Sequence, residues 1–401
     1  MENLCVRCKG KGLCGKPCKI LKQFASTVPK ITTHFAGPSP PEVFVGRVGY
    51  PNVGTGILAP TNYETKHSDF NYAEQWSKAN LSIANILRLR SQLIYGQSTT
   101  NVKIPDKIRL ITNELAMTDK PTSTEFFLKR KPIVNLTTSS VFKPMINPAP
   151  IERVSLQENV KVLKKVDYIV NDTDCRANTA IEELYNSNLN VDHLQKILSV
   201  GLLGRKTARR MVPTRWSITA VDDNVSKQLL EKIRYYREIS EIMLFGGNYL
   251  GNYIEFLLLP GTFSFDAIEA WEGESLYGDK FQLTFGHDYE GFNGRKTYAS
   301  NITGGYYAMR LPVTEYLEKE KRQASVFVLR RITSEYYAPL GVGIVRETAR
   351  RAINSIPQIF QTIDDALIEI EKKLGISVDT IKEKSWLLKE YGKQQKLTQY
   401  M

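Results

Sequence analysis

Long hydrophobic runs are missing from this sequence of 401 residues. The longest apolar stretch of note is residues 256–259, Phe-Leu-Leu-Leu, which Pro260 closes. A helix that crosses a bilayer needs roughly 20 apolar residues, so we expect no transmembrane segment. The first residues also lack the apolar core of a signal peptide. We therefore expect a cytoplasmic protein that has no membrane partner.

Histidine and cysteine are also scarce. The four histidines are scattered along the chain, at His34, His67, His193 and His287. No two of them have the spacing of zinc ligands. No Ser/His/Asp or Cys/His arrangement for nucleophilic catalysis is visible. Five cysteines are too few for a disulfide framework. Four of the five lie together near the N-terminus, which favours a metal site.

The clustered cysteines have the spacing C-x2-C-x5-C-x3-C and are Cys5, Cys8, Cys14 and Cys18. Four thiolates that converge from short loops suit tetrahedral zinc, and the intervening glycines let the chain reverse in little space. So short a segment could not form a core without metal, so the sequence predicts a structural zinc knuckle within residues 1–22. An iron–sulfur cluster is the main alternative, although Pro17 precedes the last cysteine, whereas the clustered ferredoxin run has its proline after it.

Acidic residues are the minority charge. Lysine and arginine outnumber aspartate and glutamate by 54 to 42, which gives a formal net charge of +12. A basic protein attracts polyanions because binding releases their counterions, and this makes nucleic acid the first partner to consider. A surface rich in Lys and Glu, as in thermophiles, is the alternative explanation.

One basic run stands out in the middle of the chain. Eleven residues without an acid contain five cations, and a tryptophan follows: Arg205, Lys206, Arg209, Arg210, Arg215 and Trp216. Guanidinium groups bind phosphates bidentately and an indole ring stacks on bases, so this run predicts a site for DNA phosphates or a nucleotide. The alternative is a structural ion-pair network that Asp222 and Asp223 would close.

Acidic residues cluster further along, where Glu269, Glu272 and Glu274 fall within six residues. With Glu255 and Asp266 they could hold Mg²⁺ or serve as a general base. The candidate catalytic residues are these three glutamates together with Asp222 and Asp223. A solvated acidic turn is the alternative.

The glycine-rich stretch at residues 246–252 follows an expected helix. We interpret it as a helix C-cap, because phosphate-binding loops run from a strand into a helix.

The chain ends in a sequence typical of peptides that bind a DNA sliding clamp. Gln394, Leu397 and Tyr400 match the pattern Gln-x-x-aliphatic-x-x-aromatic-aromatic, and Met401 stands at the last aromatic position. One helical turn would place Leu397 and Tyr400 on the same face for an apolar pocket. Met401 is a flexible apolar substitute for an aromatic ring.

Helix and strand patterns alternate without regularity, which predicts an α+β fold with mixed helices and a short sheet, besides the zinc knuckle. Apolar spacing predicts helices at residues 222–245 and 363–374 and strands at 253–259 and 325–329. We divide the chain into four parts: the knuckle at 1–22, an N-terminal part of the body at 23–200, a C-terminal α+β part at 201–390, and a flexible tail at 391–401.

Several stretches resemble the archaeal Nre family of DNA repair proteins. They are FVGRVGYP at 44–51, GRKTARRMVPTRWSITAVDD at 204–223, FGGNY at 245–249 and PLGVGIVRE at 339–347. The four-cysteine start and the clamp-binding end add to the match, which covers nearly the whole chain. The resemblance implies an archaeal cytoplasmic protein that acts in DNA damage repair with the sliding clamp, PCNA. It implies no settled catalytic mechanism.

The preferred interpretation is a repair factor that the clamp recruits to DNA, with structural Zn²⁺ and a basic cleft for DNA or a nucleotide. A metal-dependent nuclease would instead use the three glutamates for Mg²⁺ and the arginines for phosphates. A nucleotide- or NAD-handling transferase would place the same arginines on a pyrophosphate, and an adaptor would have no turnover. These alternatives stay open at the level of sequence.

Overall fold

In a computed structural model of the chain, residues 33–60, 72–133, 136–137, 141–272 and 283–393 are described. They divide between two compact units. The N-terminal unit takes the described residues of Leu4–Val225 together with Ala338–Gly343, and the C-terminal unit takes those of Ser226–Tyr337 and Ile344–Met401. No helix in these described ranges is both long enough and apolar enough to cross a membrane.

The N-terminal unit is built on one mixed sheet. Its strands are β1 (His34–Ser39), β2 (Val43–Val45), β3 (Asn52–Pro60), β4 (Leu93–Asn101), β5 (Thr122–Leu128), β6 (Leu136–Thr137), β7 (Met145–Ile146) and β8 (Pro148–Leu156). Six of them form the sheet in the order β1-β5-β8-β4-β3-β2. The pair of β4 with β8 is parallel and the other neighbours are antiparallel. A short antiparallel ladder joins β6 to β7.

Helices cover this sheet and complete its core. They are α1 (Ala73–Lys78), α2 (Ile83–Ser91), α3 (Lys107–Met117), α4 (Lys164–Asn171), α5 (Ala177–Asn186), α6 (Val191–Ser199) and the first part of α7 (Thr214–Ile233). On β5 buried residues alternate with half-buried ones, as a strand with one face on the core requires. Ile94 and Phe126 of the sheet share a core cluster with Ile111 and Leu115 of α3. Each such side chain contributes roughly 1.5–3 kcal/mol when it is fully buried.

The C-terminal unit has its own mixed sheet. Its strands are β9 (Arg237–Glu238), β10 (Ile242–Tyr249), β11 (Asn252–Leu259), β12 (Ser264–Trp271), β13 (Thr284–Glu290), β14 (Arg322–Gln323), β15 (Ser325–Ile332) and β16 (Gln358–Phe360). The order in the sheet is β13-β12-β15-β11-β10-β16, with β12 and β15 parallel. A short parallel ladder pairs β9 with β14.

This second sheet is covered on both faces, since nearly every residue of β11, β12 and β15 is buried. The helices are the end of α7, then α8 (Gly304–Glu320), α9 (Val342–Ile353), α10 (Ile363–Leu374), α11 (Val378–Lys384) and α12 (Trp386–Glu390). Leu367 of α10 shares a core cluster with Leu257 and Phe327. On the other face, the ring of Tyr306 in α8 lies edge-on to Phe265, with centroids 5.1 Å apart.

The α+β prediction is confirmed, and the sheets are larger than the single short sheet that we expected. The strands expected at 253–259 and 325–329 and the helix expected at 363–374 are present as β11, β15 and α10. The zinc knuckle lies outside the described residues.

The helix expected at residues 222–245 is wrong at both ends. α7 begins at Thr214 and ends at Ile233, and the short strand β9 and then β10 follow it. Apolar residues at 239 and 243 continue the helical spacing, but residues 242–249 pair with β11 on one side and β16 on the other. Pairing between distant segments therefore outweighs the local period.

The C-cap interpretation of the glycine-rich stretch is also wrong, because Gly246 and Gly247 lie inside β10. A Cβ atom on Gly246 would stand 2.2 Å from the Oε1 atom of Glu255, and one on Gly247 would stand 2.8 Å from the Cα atom of Ala352. These glycines are needed because a carboxylate and the backbone of α9 approach the strand closely.

Candidate nucleic-acid interface

The predicted basic run lies on a loop of the N-terminal unit, between α6 and α7. Its last residues are hydrogen-bonded to the body of the unit and to the end of α6. The backbone N–H of Met211 donates to the carbonyl of Val102 at 2.9 Å, and that of Val212 donates to the carbonyl of Ser199 at 2.8 Å. The Met211 side chain is buried in the core. The loop is therefore held in place while its cations stay at the surface.

Two glycines allow this loop to close. Gly201 and Gly204 have φ angles of +80° and +100°, a region that other residues rarely adopt. A Cβ atom on Gly201 would lie 2.5 Å from the carbonyl group of Arg210, so the two ends of the loop approach more closely than any side chain permits. One turn of 3-10 helix, Lys206–Ala208, follows the second glycine.

Arg209 is the residue that closes the loop. Its guanidinium donates to the carbonyl oxygens of Gly204, Val170 and Asp172, each at 2.7 Å. Val170 and Asp172 lie at the C-terminal end of α4, where carbonyl groups lack partners within the helix. Burial lowers the pKa of Arg209 from its ordinary value, although an arginine stays charged in proteins. The structure therefore gives Arg209, one of the predicted phosphate-binding residues, a role in shaping the loop.

Three other arginines surround a cavity beside this loop. Arg205 and Arg210 line it together with Arg176, which precedes α5, and the cavity volume is about 420 Å³. All three side chains are exposed. Among the residues that the structure describes, none of the three has a carboxylate within 4 Å of its guanidinium. Their charges are therefore available to an anion.

The remaining predicted cations do not line the cavity. Lys206 is exposed on the 3-10 turn, and Arg215 is half-buried in the first turn of α7. Trp216 follows Arg215 and keeps 55% of its surface exposed, which suits stacking on a base. The start of α7 is fixed through Thr214, whose Oγ1 atom accepts from the backbone N–H of Val45 at 2.8 Å.

Arg176 is not among the residues that the sequence pattern predicts for this site. It stands 29 residues before Arg205, in a segment whose spacing carries no charge pattern. Only the packing of α5 against the loop brings it to the cavity: a Cβ atom on Gly204 would meet the Cβ atom of Ala177 at 3.5 Å. No local signal could have found this residue.

None of the described acidic candidates lines the cavity, and the two pairs belong to different units. Asp222 is buried in α7, where it accepts from the Nε2 atom of Gln195 at 3.1 Å, and Asp223 is half-buried. Both belong to the N-terminal unit, whereas Glu269 and Glu272 belong to the C-terminal unit. In the described ranges, no group of three or more His, Cys, Asp or Glu side chains is arranged to hold a metal ion. Glu274 lies outside those ranges.

The two described glutamates are engaged by arginines. Glu269 lies on β12 with 3% of its surface exposed, so the solvated-turn interpretation is wrong for this residue. Burial raises the pKa of Glu269, and the guanidinium of Arg330, 2.5 Å away, opposes that rise. Glu272 accepts from Arg331 at 2.6 Å and from the backbone N–H of Ser334 at 3.1 Å.

A buried lysine forms a second polar cluster in the N-terminal unit. The ammonium of Lys196 on α6 donates to the carbonyls of Pro41 at 2.6 Å and Thr118 at 3.3 Å, and to the Tyr72 hydroxyl at 3.1 Å. Burial lowers the pKa of Lys196 to about 7. These three acceptors tie the loop before β2, the start of α1 and the end of α3 to α6, so we assign Lys196 a structural role.

Two of the predicted sites fall outside the described residues. They are the metal ligands Cys5, Cys8, Cys14 and Cys18, and the clamp-binding residues Gln394, Leu397, Tyr400 and Met401. Both therefore stay predictions from sequence.

Family models and curated relatives agree on the kind of protein. A model described as Archaeal Nre, N-terminal, matches residues 13–278, and one described as Archaeal Nre, C-terminal, matches residues 290–400. A protein of Archaeoglobus fulgidus called DNA repair protein NreA is 37% identical over 92% of this chain and 93% of its own length. DNA repair protein NreB of the same organism is 34% identical over 99% of this chain and 100% of its own.

A protein of Haloferax volcanii that is also called DNA repair protein NreA is 33% identical over 86% of this chain and 84% of its own length. No solved structure matches the chain. The two family models together span nearly the whole sequence, and the relatives align over most of both chains. The chain therefore belongs to the archaeal Nre family.

Proposed function

We propose that this protein is a DNA repair factor that holds DNA phosphates on the basic surface formed by Arg176, Arg205, Lys206 and Arg210. The observation that carries the proposal is that three of these cations surround one cavity and have no acidic partner among the described residues. A structural ion-pair network, the alternative considered for this run, would require such partners. The name DNA repair protein on all three relatives supports the same conclusion.

The chemistry of arginine supports phosphate as the ligand. A guanidinium presents a planar fork of N–H groups that matches two phosphate oxygens, and it is weakly hydrated. The net charge of +12 adds a long-range attraction for a polyanion. Because Arg209 already fixes the loop, Arg205 and Arg210 do not need to order the backbone when DNA binds, which lowers the entropic cost of binding.

Recruitment and metal binding complete the proposal. Residues 394–401 dock the protein onto the sliding clamp, and this peptide matches the clamp-binding pattern at Gln394, Leu397 and Tyr400. The four cysteines hold one structural zinc, as their spacing predicts. In this proposal the protein works in the cytoplasm, where archaeal DNA lies. The support for all three statements comes from the sequence.

The nuclease alternative receives less support from the side chains. Glu269 and Glu272 are each paired with an arginine, and a carboxylate that is already neutralised is a poor ligand for Mg²⁺. Asp222 is occupied by Gln195 and buried. A transferase that places a nucleotide pyrophosphate on the arginines would use the same basic surface, so a nucleotide competitor belongs in the binding experiment.

The test is a comparison of salt dependence. Fluorescence anisotropy with a labelled oligonucleotide, between about 50 and 200 mM salt, gives the slope of log affinity against log salt. Arg205→Glu and Arg210→Glu are each expected to weaken binding and to reduce that slope by about 0.7–0.9, one phosphate contact. Lys389→Glu makes the same change of charge at an exposed lysine of the C-terminal unit and serves as the matched control.

Equal slopes for Arg205→Glu, Arg210→Glu and Lys389→Glu would show that the basic surface does not contact phosphate. Displacement of DNA by a dinucleotide at low concentration, with turnover, would favour the transferase. Magnesium-dependent cleavage of the labelled strand that Glu272→Gln abolishes would favour the nuclease.

A further inference from the structure

The cavity beside the basic loop has a chemical character that phosphate binding alone does not explain. Its walls are apolar and come from Ala177, Leu198, Leu203, Ala208 and Val212, while the arginines supply the charge. Arginines at a flat surface can supply all the hydrogen bonds that a phosphate accepts, and an aliphatic wall adds nothing to the binding of a phosphate. The volume of about 420 Å³ lies in the usual range for pockets that hold a small organic group.

We propose that this cavity takes one unstacked base of single-stranded DNA, while Arg176, Arg205 and Arg210 hold the phosphates next to that base. The inference rests on the proposed function, since it assumes that the basic surface contacts DNA. It goes further by naming the kind of DNA that the protein binds, which is a strand in which a base is free to leave the stack. Such strands occur in single-stranded gaps and at mismatched or damaged positions.

The aliphatic walls match the faces of a base, which are the least polar part of a nucleotide. In an intact duplex these faces are covered by the neighbouring bases, so a paired base must first leave the stack, at a cost in free energy. A base in a single strand avoids most of that cost. The cavity therefore favours single strands over duplex, a preference that phosphate contacts alone do not give.

The lining also predicts how strictly the base is chosen. Apart from the three arginines, the cavity is lined by alanine, leucine and valine side chains, which carry no hydrogen-bonding group, and by Gly204, which has no side chain. Direct readout of a base needs donors or acceptors placed against its edge. We therefore expect the cavity to accept all four bases with similar affinity, as stacking platforms for single strands do.

The loop presents this cavity already formed. Arg209 holds Gly204 to the end of α4 through its three carbonyl contacts, and Gly204 and Ala208 both line the cavity. Thr207 lies on the same 3-10 turn as Ala208, is exposed, and does not line the cavity. A large side chain at residue 208 would therefore fill the cavity, whereas the same side chain at residue 207 would leave it open, so the two substitutions form a matched pair.

The experiment compares Ala208→Phe with Thr207→Phe in the full-length protein. Each variant adds the same ring at an exposed position and leaves every charge in place, but only Ala208→Phe fills the cavity. Anisotropy is measured with a single-stranded oligonucleotide and with an abasic oligomer of equal length, which keeps the phosphates and lacks the bases. A single-stranded probe that contains 2-aminopurine reports directly on unstacking, because its fluorescence rises when the base leaves the stack.

Wild type and Thr207→Phe are expected to bind the intact strand roughly tenfold more tightly than the abasic oligomer. Ala208→Phe should lose that difference and the rise in 2-aminopurine fluorescence, while its affinity for the abasic oligomer stays unchanged. Equal affinity of wild type for both oligomers, with no fluorescence change, would overturn the cavity inference and leave phosphate binding standing. Failure of wild type to bind either oligomer would overturn the proposed function as well.

Discussion

The guanidinium of Arg209 donates to the backbone carbonyl oxygen of Asp172 at 2.7 Å. Through this contact and two others, one arginine of the basic run joins the loop after α6 to the end of α4. Its neighbour Arg210 lines the cavity and has no acidic partner in the described part of the chain. Adjacent arginines in the sequence therefore have separate roles, one in the fold and one at the surface.

Replacing the two arginines should separate these roles. Arg209→Ala removes three hydrogen bonds from a charged donor and leaves carbonyl groups without partners, so we expect a loss of roughly 2–4 kcal/mol in the free energy of unfolding. Arg210→Ala, at an exposed side chain, should change stability by less than about 0.5 kcal/mol. Urea denaturation followed by tryptophan fluorescence measures both values.

The effects of these substitutions on DNA affinity should have the opposite order to their effects on stability, when affinity is measured at a temperature where both variants are folded. Arg210→Ala is expected to weaken binding directly, and Arg209→Lys, which keeps the charge but not the fork of donors, tests whether charge alone suffices at residue 209. If the Arg209→Ala and Arg210→Ala proteins were equally stable, the assignment of Arg209 to the fold would be wrong.

Lys196 should make stability depend on pH above neutrality. Its pKa is lowered from 10.5 to about 7 in the folded protein, so the unfolded chain binds more protons between these values. The contribution of Lys196 to the free energy of unfolding is therefore present in full above the pKa that this lysine has in the unfolded chain, and it is lost as the pH falls through about 7. The free energy of unfolding should rise with pH by up to about 1.4 kcal/mol per pH unit in that window, the slope that a difference of one bound proton gives.

The variant Lys196→Met should lose this slope, and it should be less stable at alkaline pH because carbonyl groups of Pro41 and Thr118 lose a donor. Lys120→Met changes an exposed lysine and is the control. Denaturation at several pH values gives the comparison. Parallel pH profiles for wild type and Lys196→Met would show that Lys196 does not titrate in this range.

The four-cysteine segment is expected to bind about one zinc per chain, without the visible absorbance of an iron–sulfur centre. Cys8→Ser should release the metal because a tetrahedral thiolate site needs all four ligands. The rest of the protein should keep its unfolding midpoint, since so short a segment makes no core of its own. Elemental analysis decides the matter, and iron with acid-labile sulfide would rule out zinc.

The C-terminal peptide should bind the clamp by burying Leu397 and Tyr400. Two buried side chains at about 1.5–3 kcal/mol each, less the cost of ordering the peptide, leave roughly 2–4 kcal/mol. With backbone contacts added, the isolated peptide should bind at about micromolar strength. Tyr400→Ala should abolish binding and Met401→Phe should tighten it, as calorimetry with the cognate clamp would show. Equal affinity of the full-length protein and one that lacks residues 394–401 would exclude the peptide as the docking element.

The sequence alone determined the features that rest on neighbouring residues. Among these is α10, which follows its apolar spacing from Ile363 to Leu374. The buried strands β11 and β15 also appear where continuous apolar residues stand. Family membership follows from similar local stretches, and the two family models confirm it.

Only the tertiary structure decided which residues meet. Arg176 reaches the cavity because α5 packs against Gly204, and Glu269 is engaged because β12 and β15 pair in parallel, with Glu269 opposite Arg330 in the register. Residues 242–249 form β10 rather than a continuation of the helix because β11 and β16 supply their hydrogen-bond partners. The free energies of these contacts depend on segments far apart in the chain, and a local pattern of residue types carries no information about them.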